Sequence, residues 1–141
     1  MKMTLFVIAT FAFLGMVDTL YLSIMRQSGP PPCNITSGCE NVLTSKYSKI
    51  GFIPLPWIGL AYYLVVFSAA VIQLSGTANT FHLLFLPVTL ALATSIVLTG
   101  IQAFVLQQYC DYCLGSGFLS AGIFFAVLIG RKKIIKLAIQ P

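Results

Sequence analysis

Charged residues are scarce in this sequence of 141 residues, of which 58% are hydrophobic and only 8% are charged. A soluble domain usually carries about 25% charged residues. Between positions 50 and 110 there is no Asp, Glu, Lys or Arg, and His82 is the only side chain there that titrates near neutral pH. Because so long an apolar interval does not suit the core of a soluble domain, the composition indicates a membrane protein.

Three further features are missing, and each absence excludes a class of protein. The net charge is +5, but the basic residues lie in loops and at the ends, without the basic stripe interleaved with aromatics that nucleic-acid binding requires. The alternating segments of about ten residues that build a transmembrane β-barrel do not occur. No Ala-x-Ala-like cleavage site follows the first apolar run, and Asp18 interrupts it, so we interpret the run as a retained helix.

Four apolar stretches remain, at about residues 4–25, 52–74, 81–106 and 112–130. Each has about the 20 residues that a helix needs to cross a bilayer, and only helices satisfy their backbone in lipid at this length. We therefore predict an all-α membrane protein, a four-transmembrane-helix bundle that forms a single domain over residues 1–141. In the loop 26–51, apolar residues at 42, 43 and 47 predict a short amphipathic helix.

The distribution of basic residues predicts the orientation. Arg131, Lys132, Lys133 and Lys136 cluster near the C-terminus, and with Lys2 they make five basic residues on one face against three, at 26, 46 and 49, on the other. By the positive-inside rule both termini are cytoplasmic. All four cysteines then lie on the exocytoplasmic side, in a compartment that permits disulfides.

The four cysteines form two pairs, Cys33 with Cys39 in the first loop and Cys110 with Cys113 at the start of the fourth span. Static disulfides, a metal site and redox exchange all remain open. A bridge within Cys-x-x-Cys closes too small a loop to stabilise much, and Cys-x5-Cys is an unusual half of a zinc site. A Cys-x-x-Cys at a helix start suits exchange, because the helix end lowers a thiol pKa, although Asp111 opposes this. Two pairs on one face suggest a relay, with a lipid-soluble quinone as a plausible acceptor.

Four segments of the sequence together resemble the bacterial branch of the vitamin K epoxide reductase family. They are CENVLTSKY at 39–47, GFIP at 51–54, GLAYY at 59–63 and CDYC at 110–113, and the resemblance extends over about residues 4–130. It implies a four-helix bundle around a quinone, either ubiquinone or menaquinone, in the bacterial inner membrane. It also implies a thiol:quinone oxidoreductase that re-oxidises a separate exocytoplasmic thioredoxin-fold dithiol protein (DsbA-like), because the chain stops soon after Lys136 without a fused domain.

The resemblance also implies a role for each cysteine. Cys33 receives electrons from the partner, Cys39 passes them to Cys110, and Cys113 faces the quinone and reduces it. Ser45 matches a serine or threonine that supports the site by hydrogen bonding, although a serine bonded back to its own helical turn explains it equally well. Vertebrate members carry a tyrosine where this chain has Gly117, which favours simple quinone reduction over vitamin K epoxide chemistry.

Three other groups of residues lead to expectations that the structure can test. An acid within a membrane span is costly, so Asp18 suggests a proton path for quinone reduction, and we expect it to reach either interfacial water or a polar partner such as Thr19, Thr94 or Gln102. We expect the aromatic residues near the cysteine end to form an interfacial belt rather than a ligand pocket. We expect the small residues of the fourth span to allow close helix packing. The aromatic residues are Trp57, Tyr62, Tyr63, Tyr109 and Tyr112, and the small residues are Gly115, Ser116, Gly117, Ser120 and Gly122.

Overall fold

A computed structural model describes residues 2–29, 38–76 and 81–139 of the chain. The helices are α1 (Lys2–Ser28), α2 (Cys39–Thr44), α3 (Leu55–Leu74), α4 (Phe81–Ile101) and α5 (Asp111–Ile139). A 3-10 turn (Lys46–Ser48) and two short antiparallel strands, β1 (Lys49–Ile50) and β2 (Ile53–Pro54), connect α2 to α3. The residues Gln102–Leu106 extend α4 as a π-helical turn.

Within these described residues, four helices are long and apolar enough to cross a membrane: Lys2–Ser28, Leu55–Leu74, His82–Leu106 and Asp111–Lys133. The predicted all-α membrane bundle of four helices is therefore confirmed. The third helix of this set consists of α4 and its π-helical extension. Large apolar side chains such as Phe6, Leu83 and Phe118 are exposed on the outer surface, as expected of side chains that contact lipid.

Local sequence explains where α3 begins. Gly51 has a left-handed backbone (φ 62°) between the two strands, and the chain reverses there. Pro54 then precedes the helix and Pro56 lies in its first turn, where a proline costs no helical hydrogen bond. The second strand of the pair therefore occupies positions 53–54, and α3 begins three residues later than the predicted span.

Close contacts between glycines and aromatic rings hold the long helices together. The helix α1 packs on α3 and α5, and α4 packs on α5. Gly15 of α1 lies directly against the Tyr63 ring, and Gly122 of α5 lies directly against the Phe11 ring. The packing prediction therefore applies to Gly122 but not to Gly115, because no atom of a neighbouring element lies within 4 Å of where its Cβ would be.

The predicted amphipathic helix of the first loop is shorter than the pattern suggested. The helix α2 has six residues and buries Cys39, Val42 and Leu43. Tyr47, the third apolar position of the pattern, lies in the following 3-10 turn and is exposed. Because α2 covers the cysteine end of the bundle, it brings the first loop to the start of α5.

Candidate active site

Three of the four cysteines lie together at one end of the bundle. Cys39 is 1% exposed and Cys110 is 0% exposed, and with Val42 they form one buried cluster. Cys113 packs against this cluster. Cys39 is disulfide-bonded, whereas Cys110 and Cys113 are free thiols. Cys33, the predicted partner of Cys39, lies outside the described residues.

The residues around Gly38 fix α2 against the segment that precedes α5. A Cβ at Gly38 would lie 2.7 Å from Gln108 Cβ and 2.8 Å from the carbonyl oxygen of Tyr109, so only glycine allows this approach. The Asn41 side-chain amide donates to Gln108 Oε1 at 2.6 Å. These contacts place Cys39, the first residue of α2, in the same buried cluster as Cys110.

Cys110 is held by its backbone and by the first turn of α5. Its N–H donates to Gln102 Oε1 at 3.1 Å, and its carbonyl accepts the first bond of the helix from the Leu114 N–H at 3.0 Å. The π-helical turn at Gln102–Leu106 and the left-handed Gln107 (φ 50°) let the chain turn back to Cys110. Sequence reasoning missed this role of Gln102, because nothing in an apolar pattern indicates a π-helical turn.

The neighbouring thiol changes the acidity of Cys110. A hydrogen bond from the Cys113 side chain lowers the pKa of Cys110 to about 7, and the backbone N–H groups of Cys113 and Tyr112 act in the same direction. Burial opposes this shift, and so does the charge of Asp18. The expectation that the helix start lowers this pKa agrees with the structure, but the opposing charge belongs to Asp18 rather than Asp111.

We expect the thiolate of Cys110 in the reduced protein to titrate with a midpoint near pH 7. A thiol with this pKa is about half ionised at pH 7, whereas an ordinary cysteine with a pKa of about 8.5 is only about 3% ionised. Raising the pH through 7 therefore increases the reactive thiolate. Thiolate absorbance in the ultraviolet, corrected with Cys110→Ala, measures the midpoint.

Two variants identify the cause of this shift. Cys113→Ala removes the donor and raises the Cys110 midpoint by about one pH unit or more, whereas Cys113→Ser retains a hydroxyl donor and raises it less. An unchanged midpoint in Cys113→Ala would show that the neighbouring thiol is not the cause.

A cavity of about 360 Å³ lies between the helices next to this cluster. Residues of α1, α3, α4 and α5 line it, together with α2 and the 3-10 turn, and none of the described residues on its wall is charged. Cys113 lines the cavity, but Cys39 and Cys110 do not. Most of the wall is apolar, and it includes Leu22, Val42, Leu43, Leu55, Pro56, Ile58, Pro87, Leu90, Ala91, Leu98, Ile101 and Leu106.

Two of the predicted belt residues lie on the cavity wall instead. Tyr63 is fully buried, and its hydroxyl donates to the carbonyl of Ser116 at 2.8 Å. The same hydroxyl is bonded to Ser116 Oγ at 2.9 Å and to Ser120 Oγ at 3.0 Å. Tyr62 lines the cavity beside it. The belt interpretation is therefore wrong for both tyrosines, and the two serines bond to Tyr63 rather than only permitting close packing.

Ser45 shows features of both roles considered for it, a serine that supports the site and a serine bonded back to its own helical turn. Its hydroxyl donates to the Val42 carbonyl at 2.7 Å, which is a bond back to its own turn. It also lines the cavity that Cys113 reaches. Ser45 therefore stabilises the end of α2 where this helix covers the cavity.

Asp18 lies away from the cavity, in an open cleft between α1 and α5. Leu14, Val17, Tyr21 and Tyr112 form this cleft with it, and the rings of Tyr21 and Tyr112 are 5.4 Å apart between centroids. Because Tyr112 belongs to the first turn of α5, Asp18 is level with the start of that helix.

The polar partners predicted for Asp18 are wrong. The Thr19 hydroxyl donates to the Gly15 carbonyl and the Thr94 hydroxyl to the Leu90 carbonyl. Gln102 Oε1 accepts from Cys110. Among the residues that the structure describes, Asp18 Oδ2 has no hydrogen-bond partner although it is buried.

Comparison with known proteins identifies a family and a curated relative. The model of the vitamin K epoxide reductase family matches residues 6–128. Thiol-disulfide oxidoreductase LTO1 of Arabidopsis thaliana is 32% identical over 120 residues, which cover 78% of this chain and 32% of the relative. The chain thus spans about a third of the length of this curated relative. Because the matched range covers most of the chain and contains all four cysteines, the chain belongs to the vitamin K epoxide reductase family.

Proposed function

We propose that this protein is a thiol:quinone oxidoreductase that generates disulfides by re-oxidising a thioredoxin-fold dithiol protein. The observation that carries the proposal is the arrangement of three cysteines. Cys39 and Cys110 share a buried cluster, whereas Cys113, three residues further on, lines an apolar cavity. Electrons that enter at the first loop therefore have a short route through sulfur into that cavity. The name of the Arabidopsis relative refers to the same class of chemistry.

The cavity suits a neutral, lipid-soluble acceptor. Its volume of about 360 Å³ is within the range of small-molecule pockets, about 300–1,000 Å³. An uncharged, mostly apolar wall favours a quinone ring over a phosphorylated cofactor, whose charges would be buried without partners. A quinone bound there supplies a two-electron, two-proton acceptor next to the Cys113 sulfur.

The relay follows from thiol–disulfide exchange. A partner thiolate attacks Cys33 of the Cys33–Cys39 disulfide, and Cys39 leaves as a thiolate. Cys39 then attacks Cys110 of the Cys110–Cys113 disulfide, and Cys113 leaves as a thiolate. The second partner thiol releases Cys33, which attacks Cys39 and releases Cys110. The partner is now a disulfide, and Cys110 and Cys113 regain theirs by releasing two electrons and two protons into the cavity.

We further propose that the protein forms a single domain and lies in a bacterial inner membrane. Both termini are then in the cytoplasm, and all four cysteines are on the other side of the membrane. Cys113 and Arg131 are 18 residues apart on α5, which is about 27 Å along a helix and close to the hydrocarbon thickness. Basic residues at one end of α5 and the cysteines at the other support this orientation.

Cys33→Ala tests the proposed order of the relay. We expect quinone reduction to fall to background with a reduced thioredoxin-fold donor, because the entry sulfur is absent. With dithiothreitol as donor the rate should be largely retained, because a small dithiol reduces Cys110–Cys113 directly. Quinone absorbance measures both rates. Loss of both activities would show that Cys33 is not merely the entry point and that the order is wrong.

We also propose that Asp18 belongs to the proton path of the Cys110–Cys113 pair. The orphaned Oδ2 atom and the adjoining Tyr112, which directly precedes Cys113, support this role. Asp18→Asn keeps the shape of the side chain but removes its titration, and we expect quinone-dependent re-oxidation of the pair to slow by about 10²-fold. Asp111→Asn, the control, should change little. Equal rates for both variants in stopped-flow absorbance would remove Asp18 from the path.

A further inference from the structure

The hydroxyl of Tyr62 lies at the cavity and forms no hydrogen bond in the described part of the protein. Tyr62 lines the cavity from α3, and its ring lies 4.9 Å from that of Tyr63. Its hydroxyl oxygen is buried, and within residues 2–29, 38–76 and 81–139 it has no hydrogen-bond partner. Buried hydroxyls are nearly always bonded, so this one needs an explanation.

Unlike the Tyr62 hydroxyl, the described serine and threonine hydroxyls on the cavity wall are all hydrogen-bonded within the protein. Those of α4, for example Ser95 and Thr99, donate to carbonyls four residues earlier in their own helix. Ser116 and Ser120 of α5 are bonded to Tyr63. The Ser120 side chain also approaches Tyr62, but its hydrogen bond goes to Tyr63. Tyr62 therefore stands out as a buried donor that is free to bond to a compound in the cavity.

We infer that the Tyr62 hydroxyl donates a hydrogen bond to a carbonyl oxygen of the compound that occupies the cavity and so orients its ring toward Cys113. The inference rests on the proposed function and names a specificity-determining residue for it. A phenolic O–H donates, and a quinone carbonyl offers an acceptor. A donor at this oxygen stabilises the negative charge that develops there during reduction.

The positions along α5 agree with this orientation. Ser120, which the Tyr62 side chain approaches, follows Cys113 by seven residues, or about 10 Å along the helix. A single ring with its carbonyl groups fits into that interval. A compound of similar size without carbonyl groups fills the same apolar space but gains nothing from the hydroxyl.

Carbonyl vibrations and binding test the inference without turnover. The fully oxidised protein is mixed with 1,4-naphthoquinone, unlabelled or ¹³C-labelled at its carbonyls, and the infrared difference spectrum isolates the carbonyl bands. We expect one carbonyl band at lower frequency than in empty micelles, and the loss of this shift in Tyr62→Phe. Equilibrium dialysis should show about 3- to 10-fold weaker binding of the quinone to Tyr62→Phe.

Matched controls separate the hydroxyl from the shape of the cavity. Naphthalene, which lacks carbonyls, should bind wild type and Tyr62→Phe equally, and this also shows that the variant retains its cavity. Tyr109→Phe removes a hydroxyl from a residue off the cavity wall and should change neither spectrum nor affinity.

Three outcomes would overturn the inference, and one of them also contradicts the proposed function. Carbonyl bands in the wild type that equal those in micelles would exclude the hydrogen bond without any variant. An unchanged spectrum and affinity in Tyr62→Phe would exclude Tyr62 as donor and leave the proposed function intact. Absence of naphthoquinone binding to the wild type would contradict both.

Discussion

Replacing Cys113 with alanine should reduce quinone reduction to the uncatalysed background, whichever dithiol supplies the electrons. Cys113 is the described cysteine that lines the cavity, while Cys39 and Cys110 are enclosed in the cluster behind it. Without its sulfur, Cys110 cannot reform an internal disulfide, and no electron pair leaves for the cavity. Absorbance of the oxidised quinone gives the rate with a thioredoxin-fold donor and with dithiothreitol.

Ser95→Ala is the matched control for this variant. Ser95 also lines the cavity, but its hydroxyl is bonded to the Ala91 carbonyl in its own helix. This variant should keep most of the activity with both donors. Activity of Cys113→Ala above background with either donor would mean that another sulfur reaches the acceptor.

Replacing Gly38 with alanine should slow electron transfer from Cys39 to Cys110 by about 10²-fold. The new Cβ would lie 2.7 Å from Gln108 Cβ and 2.8 Å from the Tyr109 carbonyl oxygen, and a backbone atom cannot move aside as a flexible side chain can. The helix α2 must shift from the segment before α5, and a displacement of about 1 Å at a reacting pair costs about this factor.

Rapid-quench alkylation followed by mass spectrometry measures this transfer, because it counts the thiols at each cysteine with time. Gly115→Ala is the control, since no neighbouring atom outside its own helix lies within 4 Å of the added Cβ. With dithiothreitol as the direct reductant of Cys110–Cys113, quinone reduction should continue in Gly38→Ala. Equal transfer rates in the two glycine variants would show that the fit of α2 does not control the relay.

The number and positions of the membrane helices follow directly from the scarcity of charge, because only apolar segments are stable in lipid. The faces that these helices bury do not follow. In a soluble helix an apolar stripe marks the core, but here lipid and core are both apolar, so the pattern carries little information about packing. For this reason the sequence pattern predicts Tyr62 and Tyr63 at the interface, although they lie on the cavity wall.

The candidate site could be predicted only in part, because several of its contacts depend on how separate segments pack together. The two cysteine pairs and the short helix between the first two spans are visible in the spacing of a few residues. The close approach at Gly38 depends on a contact between segments far apart in the chain, as in the hydrogen bond between Asn41 and Gln108, which are 67 positions apart. The contact of Gln102 with Cys110 spans only 8 positions, but it requires a π-helical turn that the apolar pattern does not indicate. The position of Asp18 in the cleft beside Tyr112 likewise depends on how α1 packs on α5.

The most direct test of the central claim is quinone absorbance with the wild-type protein in detergent, a reduced thioredoxin-fold dithiol protein and a soluble analogue of ubiquinone or menaquinone. We expect the band of the oxidised quinone to disappear, with one disulfide formed in the donor for each quinone reduced, and we expect Cys113→Ala to prevent this. If folded wild-type protein leaves both quinones oxidised, the four cysteines do not form a relay to a quinone.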